Sequence, residues 1–399
     1  MKRMADGTDI GYLMGTYSRL PVAFARGEGA WLWDERGTRY LDALAGVAVC
    51  GLGHSHPAVR QAICDQAECL IHTSNWYQIP LQEQLGQALC AVSGMERAFF
   101  CNSGAEANEA AIKLARLHGH ERKIQNPSII VMEGSFHGRT LATLSATGNR
   151  RVQAGFEPLV SGFNRVPYND LDSVRQVGEH DNKVVAVLVE PIQGEGGIVI
   201  PDTGYLEGLR HLCDERGWLL MLDEIQTGMC RTGKWFAWQH EHLSPDIVTV
   251  AKSLGNGVPI GACLARGAAA SLFHAGSHGS TFGGNPLAAR AALAVIATLK
   301  QQKLDQRAAI LGDRIIARLK EGFQSRTEVR SVRGRGLMIG IDLDRPCRVL
   351  MEIALGHGLL INVTAERTVR LLPPLILTNK EADEIVERLL VSVADFLKT

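Results

Sequence analysis

The chain has 399 residues, 42 Lys plus Arg against 42 Asp plus Glu, and 46% hydrophobic side chains. That balance excludes a sequence-wide nucleic-acid or anionic-membrane surface and disorder driven by net charge. A chain this long buries a large core without staples. Its nine cysteines include no C-x-x-C pair, which argues against a disulfide framework or a zinc ribbon. The start carries Asp6 and Asp9 and no apolar core, so no export signal is expected. The longest clean apolar run, Val184 to Val189, falls far short of the roughly 20 residues a membrane helix needs. A cytoplasmic protein with reduced thiols is the expectation.

In chain order, residues 30–42 predict a β-hairpin. Ala30-Trp-Leu-Trp33 and Arg39-Tyr-Leu41 flank a Glu35-Arg36-Gly37 turn. From about 95 to 270, short apolar runs alternate with helical stretches. The predicted strands are Ala98–Cys101, Ile129–Met132, Val184–Val189, Leu219–Leu222, Ile247–Val250 and Ala262–Ala265. Several lack polar alternation, as strands buried on both faces do, so a mainly parallel α/β sheet is predicted. Residues 287–321 are helical in pattern, and Ser331 to Leu343 predicts strand. The end predicts a helix opened by a Thr378-x-x-Glu381 capping box. A second, smaller α+β domain is expected here, joined by the N-terminal hairpin.

Ligands of open α/β sheets bind beyond the carboxyl ends of the strands. After the first predicted strand comes Asn102-Ser103-Gly104-Ala105-Glu106, opening a helix. Free N–H groups and the helix dipole favour a phosphate there, although Ser103 and Glu106 also make a plain capping pair. Glu106 near a phosphate is a tension unless it points away. After the second comes Glu133-Gly-Ser-Phe136-His137-Gly138-Arg139, a ligand-facing loop or a turn whose Phe136 plugs the core. Two further strands end at Asp223-Glu224-Ile225-Gln226 and at Ala251-Lys252. Phosphate cradle, carboxylate, lysine and stackable aromatic together are the parts a pyridoxal phosphate site needs.

At these residues the chain resembles the class III pyridoxal-phosphate aminotransferases, most of all the acetylornithine aminotransferase family. The resemblance runs from Leu20-Pro-Val22 through Gly53-His-Ser-His-Pro57 to Arg370-Leu-Leu-Pro-Pro374. Its specific stretches are Asn102 to Ala110, Phe136-His-Gly-Arg139, Glu190-Pro-Ile-Gln-Gly-Glu195, Leu222 to Gly228, Ala251-Lys-Ser-Leu254 and Ser280 to Pro286. It implies a fold-type I homodimer with shared active sites and a seven-stranded, mainly parallel sheet in the large domain. The implied division is 1–55 as an N-terminal segment joining the small domain, 56–285 as the large cofactor-binding domain and 286–399 as the small α+β domain.

The resemblance also assigns roles. Lys252 is implied as the Schiff-base lysine and Asp223 as partner of the pyridine nitrogen. Gln226 is implied at the ring hydroxyl, Phe136 on the ring face, and Ser103, Gly104 and Ala105 at the phosphate. Glu224 and Ile225 accompany Asp223 in the cofactor set. Thr281 is implied to reach the phosphate from the neighbouring subunit. For substrate, Arg139 would clamp a distal carboxylate and Arg370 the α-carboxylate of glutamate. Glu190 would cover Arg370 while the terminal amine is bound. Ser280 and Tyr17 would lie on the substrate side. Val47 stands where ornithine aminotransferases carry a tyrosine, leaving an apolar position for an acylated amine. The implied activity moves the δ-amine of N2-acetyl-L-ornithine to 2-oxoglutarate in arginine biosynthesis. Alternatives are N-succinyl-diaminopimelate, ornithine, succinylornithine or 4-aminobutyrate as donor, or a catalytically retired dimeric scaffold. No metal is expected: His54-x-His56 has no further ligands at convincing spacing.

Overall fold

The computed structural model describes residues 12–398; Asp6 and Asp9 lie outside them. The N-terminal strands β1 (Phe24–Glu28), β2 (Trp31–Asp34) and β3 (Arg39–Asp42) form an antiparallel meander. The predicted hairpin is β2–β3. Its meander is extended by a parallel pairing of Leu41 with Leu359, far along the chain. The N-terminal segment therefore joins the C-terminal part through backbone hydrogen bonds.

The large sheet has seven strands. They are β4 (Arg97–Cys101), β5 (Ser128–Met132), β6 (Phe163–Val166), β7 (Val184–Val189), β8 (Leu219–Asp223), β9 (Ile247–Val250) and β10 (Gly261–Ala265). Their order is β4-β10-β9-β8-β7-β5-β6, and β10 runs antiparallel to both of its neighbours. β5, β7, β8, β9 and β10 are buried throughout, which explains their unbroken apolar runs. β6 was not among the predicted strands. It sits at the sheet edge, and its Asn164 and Arg165 break the apolar pattern.

The C-terminal part carries helices α1 (Pro286–Gln301) and α2 (Leu304–Gly322) where sequence suggests one helical stretch. Lys303 between them adopts a left-handed conformation, φ 49°, with neither Gly nor Pro to announce it. A four-stranded sheet follows, ordered β11 (Val329–Arg335), β12 (Met338–Leu343), β14 (Thr368–Leu371) and β13 (Asn362–Thr364). The last helix, α3 (Asn379–Phe396), opens with the predicted reciprocal Thr378/Glu381 capping box. One continuous apolar core runs from Val248, Val250 and Leu254 through α1 and α2 to Leu343, Leu371 and Leu389. The two parts are thus packed together rather than strung on a linker.

Between β3 and the following helix lies a left-handed turn. Ala45, Gly46, Val47 and Ala48 all have φ between 50° and 64°. Asp42 supports it, accepting from the amides of Leu44 and Ala45. Ser253 Oγ donates to Ala48 O at 2.6 Å. Three of the four are not glycine and so are costly in this conformation, so the surrounding bonds must hold the turn in place.

Candidate active site

The carboxyl ends of β4, β5, β7, β8 and β9 face one cavity of about 460 Å³. Among its walls are Ser103, Gly104, Ala105, Phe136, Arg139, Glu190, Glu195, Asp223, Ile225, Gln226 and Lys252. Most residues expected at the site thus meet in one place, although they are spread over about 150 positions of sequence.

The loop after β4 ends in a helix cap. Ser103 Oγ accepts from the amide of Glu106 and donates to its carboxylate at 2.8 Å. That carboxylate also accepts from the amide and side chain of Asn102. Glu106 is therefore folded back and satisfied, which removes the tension with an anion. The amides of Gly104 and Ala105 open the helix Gly104–Glu121 and have no acceptor within it. A Cβ on Gly104 would stand 2.7 Å from Ile225, so only glycine lets the cradle close against that wall.

Asp223 ends β8 and is buried. Its Oδ2 accepts from His137 Nδ1 and Asn108 Nδ2, each at 2.8 Å, and Oδ1 accepts from the amide of Ile225. Asn108 is held in turn by Thr249 on β9. Three donors hold the carboxylate aimed. Glu224, the next residue, points the other way. It accepts from Thr227 Oγ1 and from the amides of Ala237 and Trp238, and it does not line the cavity. Successive side chains at a strand end face opposite sides. The expected place of Glu224 in the cofactor set is therefore corrected.

Lys252 follows β9 with φ 45°. Burial, then the nearby Arg370 guanidinium, lowers its pKa to about 8, against Glu195, Asp223 and Glu190. Arg139 sits at the cavity mouth, 5.7 Å from the Phe136 ring, and among the described residues no carboxylate pairs with it.

Arg370 is 2% exposed, on the central strand β14. It donates to Glu195 Oε1 at 2.6 Å, to Gln226 Oε1 at 3.3 Å and to Asn362 Oδ1. Glu195 and Gln226 line the cavity in front of it. The expected cover was Glu190, and the structure gives that pairing to Glu195 instead. Gln193 and Val199 exchange backbone hydrogen bonds, folding the intervening loop so that Glu195 reaches the strand of Arg370. Glu190 stays at the end of β7, accepting from the amides of Phe136 and Gly194. Burial raises its pKa to about 7, with the Asp223 charge adding to that and His137 opposing it.

Other expected residues do not reach this cavity. Tyr17 is 74% exposed. Thr281 is exposed, while Ser280 Oγ accepts from Asn102 and from the amide of Gly283. Val47 packs beside Ala48, Ile192, Ile198 and Met338, and it is Val49 that lines the cavity. His54 of the H-x-H pair bonds Asp42 at 2.8 Å. Sequence reasoning passed over Glu195, Asn108 and a role for His137. The first stood in a quoted stretch beside Glu190, and only the loop geometry separates the two acids.

The Aminotransferase class-III family matches residues 13–393. An acetylornithine aminotransferase from Nitrosomonas europaea is 55% identical over 98% of this chain and 99% of its own. Acetylornithine aminotransferase 1 of Bordetella pertussis is 54% identical over 96% and 98%. Among solved structures, ornithine aminotransferase from Toxoplasma gondii matches with a TM-score of 0.94 at 35% identity, covering 97% of this chain and 93% of that one. Acetylornithine aminotransferase from Elizabethkingia anophelis matches with 0.86 at 34%, covering 96% and 97%. This chain belongs to the class III aminotransferases.

Proposed function

We propose that this enzyme moves the δ-amino group of N2-acetyl-L-ornithine to 2-oxoglutarate, giving N-acetyl-L-glutamate 5-semialdehyde and L-glutamate, with pyridoxal 5′-phosphate as cofactor. The observation that carries this reading is the pairing of Arg370 with Glu195 beside an unpaired Arg139. One cavity must accept a terminal amine and then the α-amine of glutamate. With Glu195 in place, Arg139 is the one arginine among the described residues that lines the cavity, which suits a donor whose carboxylate is far from its amine. When glutamate enters, Glu195 would swing aside and Arg370 would take the α-carboxylate in a bidentate pair. The identity to enzymes named acetylornithine aminotransferase supports the acylated donor.

The residues present suit the cofactor. A buried, hydrogen-bonded carboxylate at Asp223, an amine of lowered pKa at Lys252, a cradle at Gly104 with no room for a Cβ and an aromatic at Phe136 are its requirements. Bound, pyridoxal phosphate supplies a carbonyl carbon for the amine and a ring that takes up the electron pair left by a departing proton. Lys252 would hold that carbon in the resting enzyme. Once freed, its amine would accept the proton from the substrate's amine-bearing carbon and return it to the cofactor's former carbonyl carbon, across the nitrogen that joins them. Asp223 would keep the ring nitrogen protonated. Gly104 and Ala105 would hold the phosphate through backbone amides. Phe136 would cover the ring face.

The reading includes a homodimer in the cytoplasm, serving arginine biosynthesis. Trp76, Tyr77, Ile71 and Phe282 are exposed large side chains around the exposed Thr281, and a second copy would cover them and bring Thr281 to the neighbouring phosphate. The division at residues 55 and 285 belongs to the same reading. The test is product analysis of the purified protein with N-acetylornithine and 2-oxoglutarate. Semialdehyde and glutamate in equal amounts support it. No glutamate above the protein-free control refutes it.

A further inference from the structure

Arg231 is the most deeply buried charged side chain outside the cavity, at 0% exposure. It does not line the cavity and has no carboxylate partner among the described residues. Burying a guanidinium without a counter-charge is costly, so its contacts should matter. Among the described residues Nη1 alone is bonded, to Leu337 O at 3.1 Å and Pro373 O at 2.5 Å; Nε and Nη2 find no partner there. The backbone reinforces one of these contacts, because Leu337 N donates to Arg231 O at 2.9 Å.

The two acceptors have a common meaning. Leu337 immediately precedes β12, and Pro373 follows β14. These strands are antiparallel, with Gly340 opposite Arg370 and Ile339 opposite Leu371. Leu337 and Pro373 therefore sit at the same end of the strand pair that carries Arg370. Arg231 bolts that end to the loop following β8. The same loop places Gln226 against the Arg370 guanidinium. Met229 and Cys230, just before Arg231, are both left-handed at φ 55° and 70°, and both are buried. Non-glycine residues in that region are held there by their surroundings at a cost. Gly336 completes the joint. It has φ 55°, and a Cβ there would stand 2.5 Å from the Thr232 backbone.

We propose that Arg231 is a positioning residue for Arg370: it fixes the strand pair at the height where the guanidinium meets the α-carboxylate of the amino-acid substrate. The proposal rests on the glutamate role given to Arg370 above. Arg231 itself touches neither substrate nor cofactor. Its loss should therefore weaken the dicarboxylate half of the reaction and spare the terminal-amine half, which uses Arg139.

The test uses the holoenzyme and the variants Arg231→Met and Arg231→Lys. Single-turnover rates are measured separately with glutamate and with N-acetylornithine. Calorimetric binding of glutarate, a dicarboxylate that cannot react, gives a readout independent of turnover. We expect Arg231→Met to lose about tenfold in glutamate and glutarate affinity, roughly one strong hydrogen-bonded contact, and N-acetylornithine to change by less than about threefold. Arg231→Lys, which keeps the charge and one donor, should fall between, and it carries the test if the Met variant does not fold. In an Arg370→Ala background, Arg231→Lys should cost glutamate nothing further. Equal losses in both halves, or additive losses in the double variant, would reduce Arg231 to a general structural residue and overturn the proposal. A wild-type enzyme that binds no dicarboxylate would instead overturn the reading of Arg370.

Discussion

The imidazole of His137 and the carboxylate of Asp223 meet at 2.8 Å inside the protein, Nδ1 donating to Oδ2. His137 Nε2 has no partner among the described residues, so a proton on Nδ1 satisfies the pair. His137 comes from the loop after β5 and Asp223 from the last position of β8, far apart in sequence. His137 thus orients the acid proposed to face the cofactor nitrogen. Asp223→Asn should cost on the order of a hundredfold or more in single-turnover rate, because the fixed charge at the ring nitrogen is lost. His137→Gln should cost less, since Asn108 and the Ile225 amide still hold Asp223. A histidine variant as damaged as the aspartate variant would contradict this order.

Glu195→Gln removes the charge that covers Arg370. The expected outcome is a weaker N-acetylornithine half-reaction with the glutamate half preserved or improved. Arg370→Ala should do the reverse, losing about tenfold or more with glutamate, a charge-assisted bidentate contact. Glu190→Gln should leave the ratio of the two halves near that of the wild type. If Glu190→Gln shifted that ratio and Glu195→Gln did not, the assignment of the cover would be wrong.

The contrast between these two glutamates shows where sequence is readable. Strands buried on both faces announce themselves by composition, and β7 was predicted at its observed limits. The motifs after β4, β8 and β9 were legible because glycine, acid and lysine stand at strand ends. Sequence could not say which of Glu190 and Glu195 turns toward Arg370, because a loop closed by the Gln193–Val199 pair decides it. Nor could it separate Asp223 from Glu224, whose carboxylates diverge within one residue. Short or edge strands such as β6, β13 and β14 were missed because polar residues, Arg370 among them, interrupt their pattern.

Lys252 offers a test in the apoenzyme. With a pKa near 8, set by burial and then by Arg370, its reactive neutral amine accumulates as pH rises through that value. The rate of pyridoxal phosphate capture by apoenzyme, followed by absorbance, should climb through about pH 8 and level off above it. Lys252→Ala should capture no cofactor covalently and complete no turnover. A midpoint near that of an ordinary lysine would contradict the lowered pKa.

The left-handed turn at Ala45–Ala48 carries a pH dependence of stability through the pair beneath it. Burial alone would lower the pKa of His54, but hydrogen bonds to Asp42 and Cys50 outweigh it and raise it to about 9 from 6.5. A raised histidine pKa stabilises the fold fully below about 6.5, and the contribution is lost as pH rises through about 9. The melting temperature of the wild type should therefore fall between neutral pH and about pH 9.5, by the equivalent of about 1–2 kcal/mol. His54→Gln should start lower and change less over that interval. Parallel curves for the two proteins would exclude His54 as the source.

The most direct test of the donor is a competition of amines in one half-reaction. Purified holoenzyme is mixed with N-acetylornithine, ornithine or 4-aminobutyrate, and the bleaching of the cofactor band is followed in a stopped flow. The account predicts the highest kcat/KM for N-acetylornithine. It also predicts that Arg139→Lys weakens this amine most, because a compact ammonium cannot replace the bidentate guanidinium. A higher constant for ornithine or 4-aminobutyrate would contradict the proposed donor while leaving the aminotransferase itself intact.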